Sequence, residues 1–131
     1  MHVLLHKIQF FGLLSICLFH SGRGSNVWTS PPGCLLFSCK AKFTNGSTLP
    51  FVQYLVSIAI IRAIKKLNGL NAAPVNIKWP NDIYANGKEK IGGVLCQSSY
   101  IGGNFDVTIG VGLNITNKKP TTCLDNLKVP L

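Results

Sequence analysis

Apolar and polar positions alternate most cleanly over residues 75–79, where Asn76 and Lys78 separate Val75, Ile77 and Trp79. A period of two predicts a strand with one buried face. Pro80 has no N–H for a ladder, so the chain leaves the sheet there and presents Asn81 and Asp82 at the strand end. The run Asp82-Ile83-Tyr84-Ala85, then Asn86-Gly87, then residues 88–95 predicts a hairpin with a type I′ turn, because Asn-Gly tolerates the two left-handed positions. Folding back there brings Lys90 near Asp82, so Lys78, Asp82 and Lys90 can face one pocket. Residues 34–43 read as a further strand, leading to a turn at Asn45-Gly46. Residues 105–115 read as another, with Gly110 and Gly112 on one face and Asn114 at its end.

The period changes over residues 51–67, which predict a helix backing the sheet. Thr48 is its expected cap ahead of Pro50, Lys65 and Lys66 fall in its last turn, and Gly69 is its stop. Phe51, Leu55, Ile58, Ile61 or Arg62, and Ala63 with Ile64 form a broad apolar stripe, while Gln53, Ser57, Arg62 and Lys65 interrupt any membrane-spanning pattern. Residues 117–131 are polar and contain proline, and predict no further element of useful length.

Composition narrows the class. A chain of 131 residues is one domain at most, and 47% hydrophobic content with mean hydropathy +0.30 makes it globular. The formal charge of +9 favours anionic partners. The basic residues are nevertheless scattered, with short pairs at Lys65-Lys66 and Lys118-Lys119 and no interleaved aromatics, which argues against a general nucleic-acid binder. Five cysteines without a CxxC pair indicate neither a zinc site nor a closed disulfide framework, and fit reduced, mostly buried thiols.

Candidate chemistry gathers at the strand ends. Lys78 and Asp82 flank the proline corner, where they can hold a phosphate and a metal or serve as a solvated strand end and turn. Gly22-Arg23-Gly24-Ser25-Asn26 is a loop whose glycines let backbone N–H groups approach an anion, with Arg23 supplying charge. Gly92 and Gly93 either remove side chains where a flat ligand needs backbone contact or mark a bulge in an ordinary hairpin, and Asn114 offers both a donor and an acceptor.

Arg23 with its glycines, Asn26-Val27-Trp28, Ser30-Pro31-Pro32-Gly33-Cys34, Lys78-Trp79-Pro80-Asn81-Asp82, Lys90-Ile91-Gly92-Gly93 and Ile109-Gly110-Val111-Gly112-Leu113-Asn114 occur in one order. Together, from about Gly22 to Leu127, they resemble the catalytic domain of biotin protein ligases, most closely the eukaryotic holocarboxylase synthetases. The resemblance implies an α+β fold, the class II aminoacyl-tRNA synthetase-like mixed sheet with packed helices, in truncated form. It also implies ATP-dependent attachment of biotin, through biotinyl-5′-AMP, to a lysine of the biotin-carrier domains of carboxylases. By the same resemblance Arg23, Lys78, Asp82 and Lys90 are catalytic, and Gly22, Arg23, Lys90, Gly92 and Gly93 contact biotin. Lys78, Asn81, Gly110, Gly112 and Asn114 hold the nucleotide, and Asp82 is a candidate Mg²⁺ ligand or orients the incoming lysine. Biotin and ATP are the implied substrates, with no nucleic acid and no stable membrane association. The alternative is an inactive truncated module that binds nucleotide or carrier domains without turnover.

The match is incomplete at its start. His20 and Ser25 stand where the family's loop has glycines, Cys17 stands where it has a glutamine, and residues 1–20 lack its Ser/Thr-Thr-Asn strand. Residues 1–21 instead have the outline of a signal peptide, with an apolar core too short to span a membrane. Cleavage near Ser21 would cut against the Arg23 loop. Secretion would expose the sequons Asn45-Gly46-Ser47 and Asn114-Ile115-Thr116, the second inside a ligand motif. The expectation is a leader over 1–21, signal-like or a mispredicted start, that does not direct secretion, and a partial ligase domain over 22–131. The compartment expected is the cytoplasm, with the mitochondrion as the alternative, and the gene is expected to encode more ligase-like sequence upstream of Gly22.

Overall fold

The computed structural model describes residues 19–21 and 27–128 of the chain. Five strands, β3 (Cys34–Phe43), β4 (Val75–Lys78), β5 (Asp82–Ala85), β6 (Glu89–Ile101) and β7 (Asn104–Asn114), form a sheet in the order β3-β7-β6-β5-β4. All four neighbouring pairs are antiparallel. Two short strands, β1 (Phe19–Ser21) and β2 (Val27–Thr29), pair separately as an antiparallel ribbon. The expected hairpin is present: Asn86 and Gly87 have φ of 52° and 67°, the left-handed pair that a type I′ turn requires.

Strand alternation sorts the side chains into two faces. Val75, Ile83, Ala85, Val94, Val107, Ile109, Val111 and Leu113 point to one side, where they are buried. Helix α1 (Leu49–Ile64) covers that side and contributes Val52, Val56, Ile60 and Ile64, a spacing of four that keeps them in one row.

The helix lies where the sequence predicts but stops at Ile64, so that Lys65 is its C-cap and Arg62 the basic residue of its last turn, and it turns a different face inward. Phe51 and Leu55, expected in the buried stripe, are 55% and 61% exposed. Arg62 is the one charged residue between Leu49 and Ile64, so apolar side chains surround the helix and its own pattern does not choose a face. The sheet chooses it. Residues Gly46–Ile64 are long and apolar enough to cross a membrane by length and composition, yet their Val52 and Ile64 side forms part of the domain core. Thr48 occupies the N-cap position, but its hydroxyl donates to the Asn45 carbonyl at 2.9 Å and not to the helix. Asn45 caps the preceding 3-10 turn, Gly46–Thr48, by accepting from the Ser47 N–H.

The segment after β7 is more structured than its polar composition suggests. Ile115 and Thr116 donate their N–H groups to the Gly33 carbonyl, and a 3-10 turn forms over Leu124–Leu127. Cys123 and Leu124 are buried, with Leu124 packed among Ile64, Leu70 and Ile83. Two apolar residues without a period carry no pattern by which to recognise this.

Candidate functional site

The sheet face opposite α1 carries the predicted chemistry. Lys78 pairs with Asp82 and Asn76 with Tyr84 across β4 and β5, so all four point away from the core. On β6, Asp82 faces Gly93 and Ile83 faces Gly92, but Tyr84 faces Lys90, leaving Ile91 as an extra residue. This bulge resets the alternation. Lys90 and Gly93 are three apart and would point to opposite sides of a regular strand, yet here both lie on the face of Asp82. Ile91 turns inward and is fully buried.

The next strand completes a floor. Gly93 pairs with Gly112, and Gly110 lies two residues further along β7. Trp28 of β2 lies on Gly112: a Cβ built there would fall 2.8 Å from the indole ring. The Trp28 Nε1 atom is buried without a hydrogen-bond partner among the described residues. The Lys90 ammonium lies 2.7 Å from Asp82 Oδ1 and 5.6 Å from the centre of the Trp28 ring, an ion pair and a cation–π contact on one group. Its side chain is 37% exposed and that of Asp82 is 26% exposed. Lys78 lies at the rim with its ammonium 5.0 Å from the Tyr84 ring centre.

The remaining predicted residues are placed unevenly. Asn81 ties the β4–β5 turn to β6, donating its side-chain N–H to the Val94 carbonyl while its own carbonyl accepts from the Val94 N–H, both at 2.9 Å. Gly92 faces the core, where a Cβ would meet Leu113 Cδ1 at 2.8 Å and the Gly112 carbonyl at 2.9 Å. Asn114 is 2% exposed. Its amide N–H groups go to Thr121 Oγ1 and the Thr122 carbonyl, both at 3.1 Å, and its oxygen accepts from Cys34 Sγ at 3.2 Å. Gly22 and Arg23 lie outside the described residues. Lys78, Asp82, Lys90, Gly93, Gly110 and Gly112 are thus brought to one face, with Asn114 next on the same side of β7 but buried against Thr121 and Thr122.

Sequence reasoning assigned no site role to Trp28, Tyr84 or Thr121. Tyr84 was within reach, since it lies two residues from Asp82 on the same strand and must share its face. Trp28 and Thr121 reach the site through folding of distant segments; Trp28 stands in one of the motifs of the resemblance, but nothing local says that it meets Gly112, and nothing local marks Thr121.

Among the described residues no three His, Cys, Asp or Glu side chains gather as metal ligands. Cys34, Cys39, Cys96 and Cys123 are free thiols. Burial pushes Cys34 and Cys39 above the ordinary thiol range, a Ser30 hydrogen bond partly opposing it at Cys34. Burial, with Cys39 nearby, pushes Cys96 up to about 11. These are weak nucleophiles at neutral pH. The face offers a flat backbone floor, an indole wall and two lysines against one carboxylate. That arrangement can seat a planar, anionic ligand and stabilise added negative charge.

An antiparallel sheet backed by a helix, with its cations and glycines on the uncovered face, is the α+β fold of biotin and lipoate ligases. The chain belongs to the biotin/lipoate A/B protein ligase family, whose model matches residues 20–114. It is 50% identical over 107 residues to biotin–protein ligase 2 of Arabidopsis thaliana, covering 79% of this chain and 32% of that protein. With the human biotin–protein ligase it shares 44% identity over 110 residues, covering 81% of this chain and 15% of the human one. The biotin acetyl coenzyme A carboxylase synthetase of Helicobacter pylori, solved with bound biotinylated ATP, superposes with a TM-score of 0.56 at 24% identity. That match covers 82% of this chain and 50% of the bacterial one, and it shows a shared fold. The chain therefore spans about a third of the plant relative's length and less of the human one.

Proposed function

We propose that this chain forms part of the active site of an ATP-dependent biotin–protein ligase of the holocarboxylase synthetase type. The observation that carries the reading is the Asp82–Lys90–Trp28 cluster on the Gly93–Gly112 floor. In the first step the biotin carboxylate attacks the α-phosphorus of ATP, giving biotinyl-5′-AMP and pyrophosphate. In the second, a lysine of a carboxylase biotin-carrier domain takes the biotinyl group as an amide and AMP leaves.

Lys90, held by Asp82 beside the indole, binds the carboxylate end of biotin over Gly93. Lys78 and Arg23 meet the phosphates, where charge builds during attack. Gly110 and Gly112 leave room for the nucleotide, with Asn114 at its adenine end and Asn81 a further nucleotide contact. A lone carboxylate already paired with lysine is not a metal cage. If Mg²⁺ accompanies the nucleotide, Asp82 is the carboxylate on this face that would help hold it, and the ion would supply positive charge to the phosphates. Asp82 also suits the second step, as an acceptor for the ammonium of the incoming lysine. The compartment proposed is the cytoplasm; one Arabidopsis relative, 49% identical over 107 residues, is named as chloroplastic.

Biotin-dependent exchange of pyrophosphate into ATP tests the reading. The chain should exchange, and Lys78→Ala and Lys90→Ala should each reduce the rate by about a hundredfold, as loss of a preorganised electrostatic contact does. Lys90→Ala should change folding stability by no more than about 1 kcal/mol, because the Asp82 pair is partly exposed. Binding of biotinyl-AMP without exchange would assign a binding module instead, and neither binding nor exchange would end the ligase assignment for this chain.

A further inference from the structure

The residue that aims Lys90 lies outside the sheet. The β6–β7 ladder ends at the Gly92–Leu113 rung, and β7 itself ends at Asn114. β6 continues beyond that rung along β5, through the bulge at Ile91, to Glu89. Lys90 thus sits where one neighbouring strand has run out and the other pairs irregularly. A backbone carbonyl left there needs a donor.

The donor comes from a segment that leaves and returns. After β7 the chain is pinned by Ile115 and Thr116 to the Gly33 carbonyl, at 3.2 and 3.0 Å. It returns so that the Thr121 hydroxyl donates to the Lys90 carbonyl at 2.6 Å, across 31 positions of sequence. The hydroxyl is itself oriented, because Asn114 Nδ2 donates to Thr121 Oγ1 at 3.1 Å and so directs its proton at Lys90. Asn114 is fixed in turn by Cys34 and by the Thr122 carbonyl. This chain of hydrogen bonds ends at the first residue of the bulge, whose register alone places the Lys90 side chain on the glycine face. Loosening that register would release the Lys90 ammonium from Asp82 and Trp28 toward solvent.

We infer that Thr121 is a positioning residue for Lys90: its hydroxyl, oriented by Asn114, holds the β6 bulge in the register that delivers the Lys90 ammonium to Asp82 and Trp28. What Lys90 does with a ligand rests on the ligase reading; the positioning itself does not. The two are linked in a further way. The Asn114 N–H that orients Thr121 belongs to the amide proposed to meet adenine, so a ligand that took this N–H would loosen the support of Lys90.

The test is residue-resolved amine acetylation of the full chain, read by mass spectrometry as the labelling rate of Lys90 relative to Lys78 and Lys42. Thr121→Val removes the hydroxyl at constant shape and should raise the Lys90 ratio about fivefold, the population weight of one hydrogen bond. Thr121→Ser should restore the wild-type ratio, and Thr122→Val should leave it unchanged. Thr121→Ala repeats the measurement if the valine chain does not fold. An unchanged Lys90 ratio, a serine chain that behaves like valine, or an equal rise at Lys42 would overturn the inference. Biotin titration of the same chains separates the two claims. Biotin should bind about fivefold more weakly to Thr121→Val than to wild type, in parallel with the labelling ratio. A wild-type chain without biotin affinity would sink the ligase reading and leave positioning decided by acetylation alone.

Discussion

Two adjacent rungs of the sheet show how differently its faces are built. Val94 pairs with Val111 on the helix side, where both are buried, and one residue away Gly93 pairs with Gly112 on the open side. The same two strands therefore alternate between a close-packed interior and a floor without side chains. On the helix side, stability comes from filled volume. On the open side, the useful property is vacancy, bounded by an indole and by charges held on partners. A strand can serve both because its period of two keeps the requirements apart.

The comparison breaks most severely from the core side. Ile83 is fully buried between β4, β6 and the core, and Ile83→Ala should cost about 3 kcal/mol in urea unfolding, as large-to-small core changes do. On the open face, Gly112→Ala should cost about 1 kcal/mol, the low end of an overpacking penalty, because the indole can move where a core side chain cannot. Its main effect should be local: with Trp79→Phe as background, Trp28 emission should shift as the ring is lifted from the floor.

A further effect is a pH dependence that belongs to the helix-covered face. Cys39 and Cys96 both sit opposite Ile109 there, and burial pushes the Cys96 thiol up to about 11. The unfolded chain ionises this thiol at an ordinary value near about 8.5, while the folded chain keeps it protonated. Stability should therefore be intact below that value and fall as pH rises toward 11, because the unfolded state loses its proton first. Denaturant midpoints between pH 8 and about 11 should show the decline, and Cys96→Ala should reduce its slope.

What could be read in advance divides along similar lines. The Asn86-Gly87 turn is a local signal with one structural solution, so the hairpin and the approach of Lys90 to Asp82 were legible. A bulge was an open alternative at Gly92-Gly93, but its position was not legible, because Ile91 becomes an extra residue only through its mismatch with β5. That single shift decides that Gly93 faces the floor and Gly92 the core. Helix α1 was legible in existence and place, though it stops at Ile64 short of the expected Leu67, but not in orientation, since a helix that is apolar on nearly all sides takes its inward face from the surface it meets. Trp28 over Gly112 and Thr121 on Lys90 depend on segments brought together by the fold, which leave no spacing to recognise.

The contact between Trp28 and Gly112 also has a genetic consequence. Every codon change that alters this glycine adds at least a Cβ, and the nearest indole atoms would lie 2.8 Å from it. Position 112 therefore has no conservative replacement. A missense allele there, even to alanine, would reshape the face that meets the ligand while the helix-covered core remained closed. Such an allele would act first through a damaged site and only modestly through abundance, whereas an allele that emptied the core would act chiefly by making the folded protein scarce.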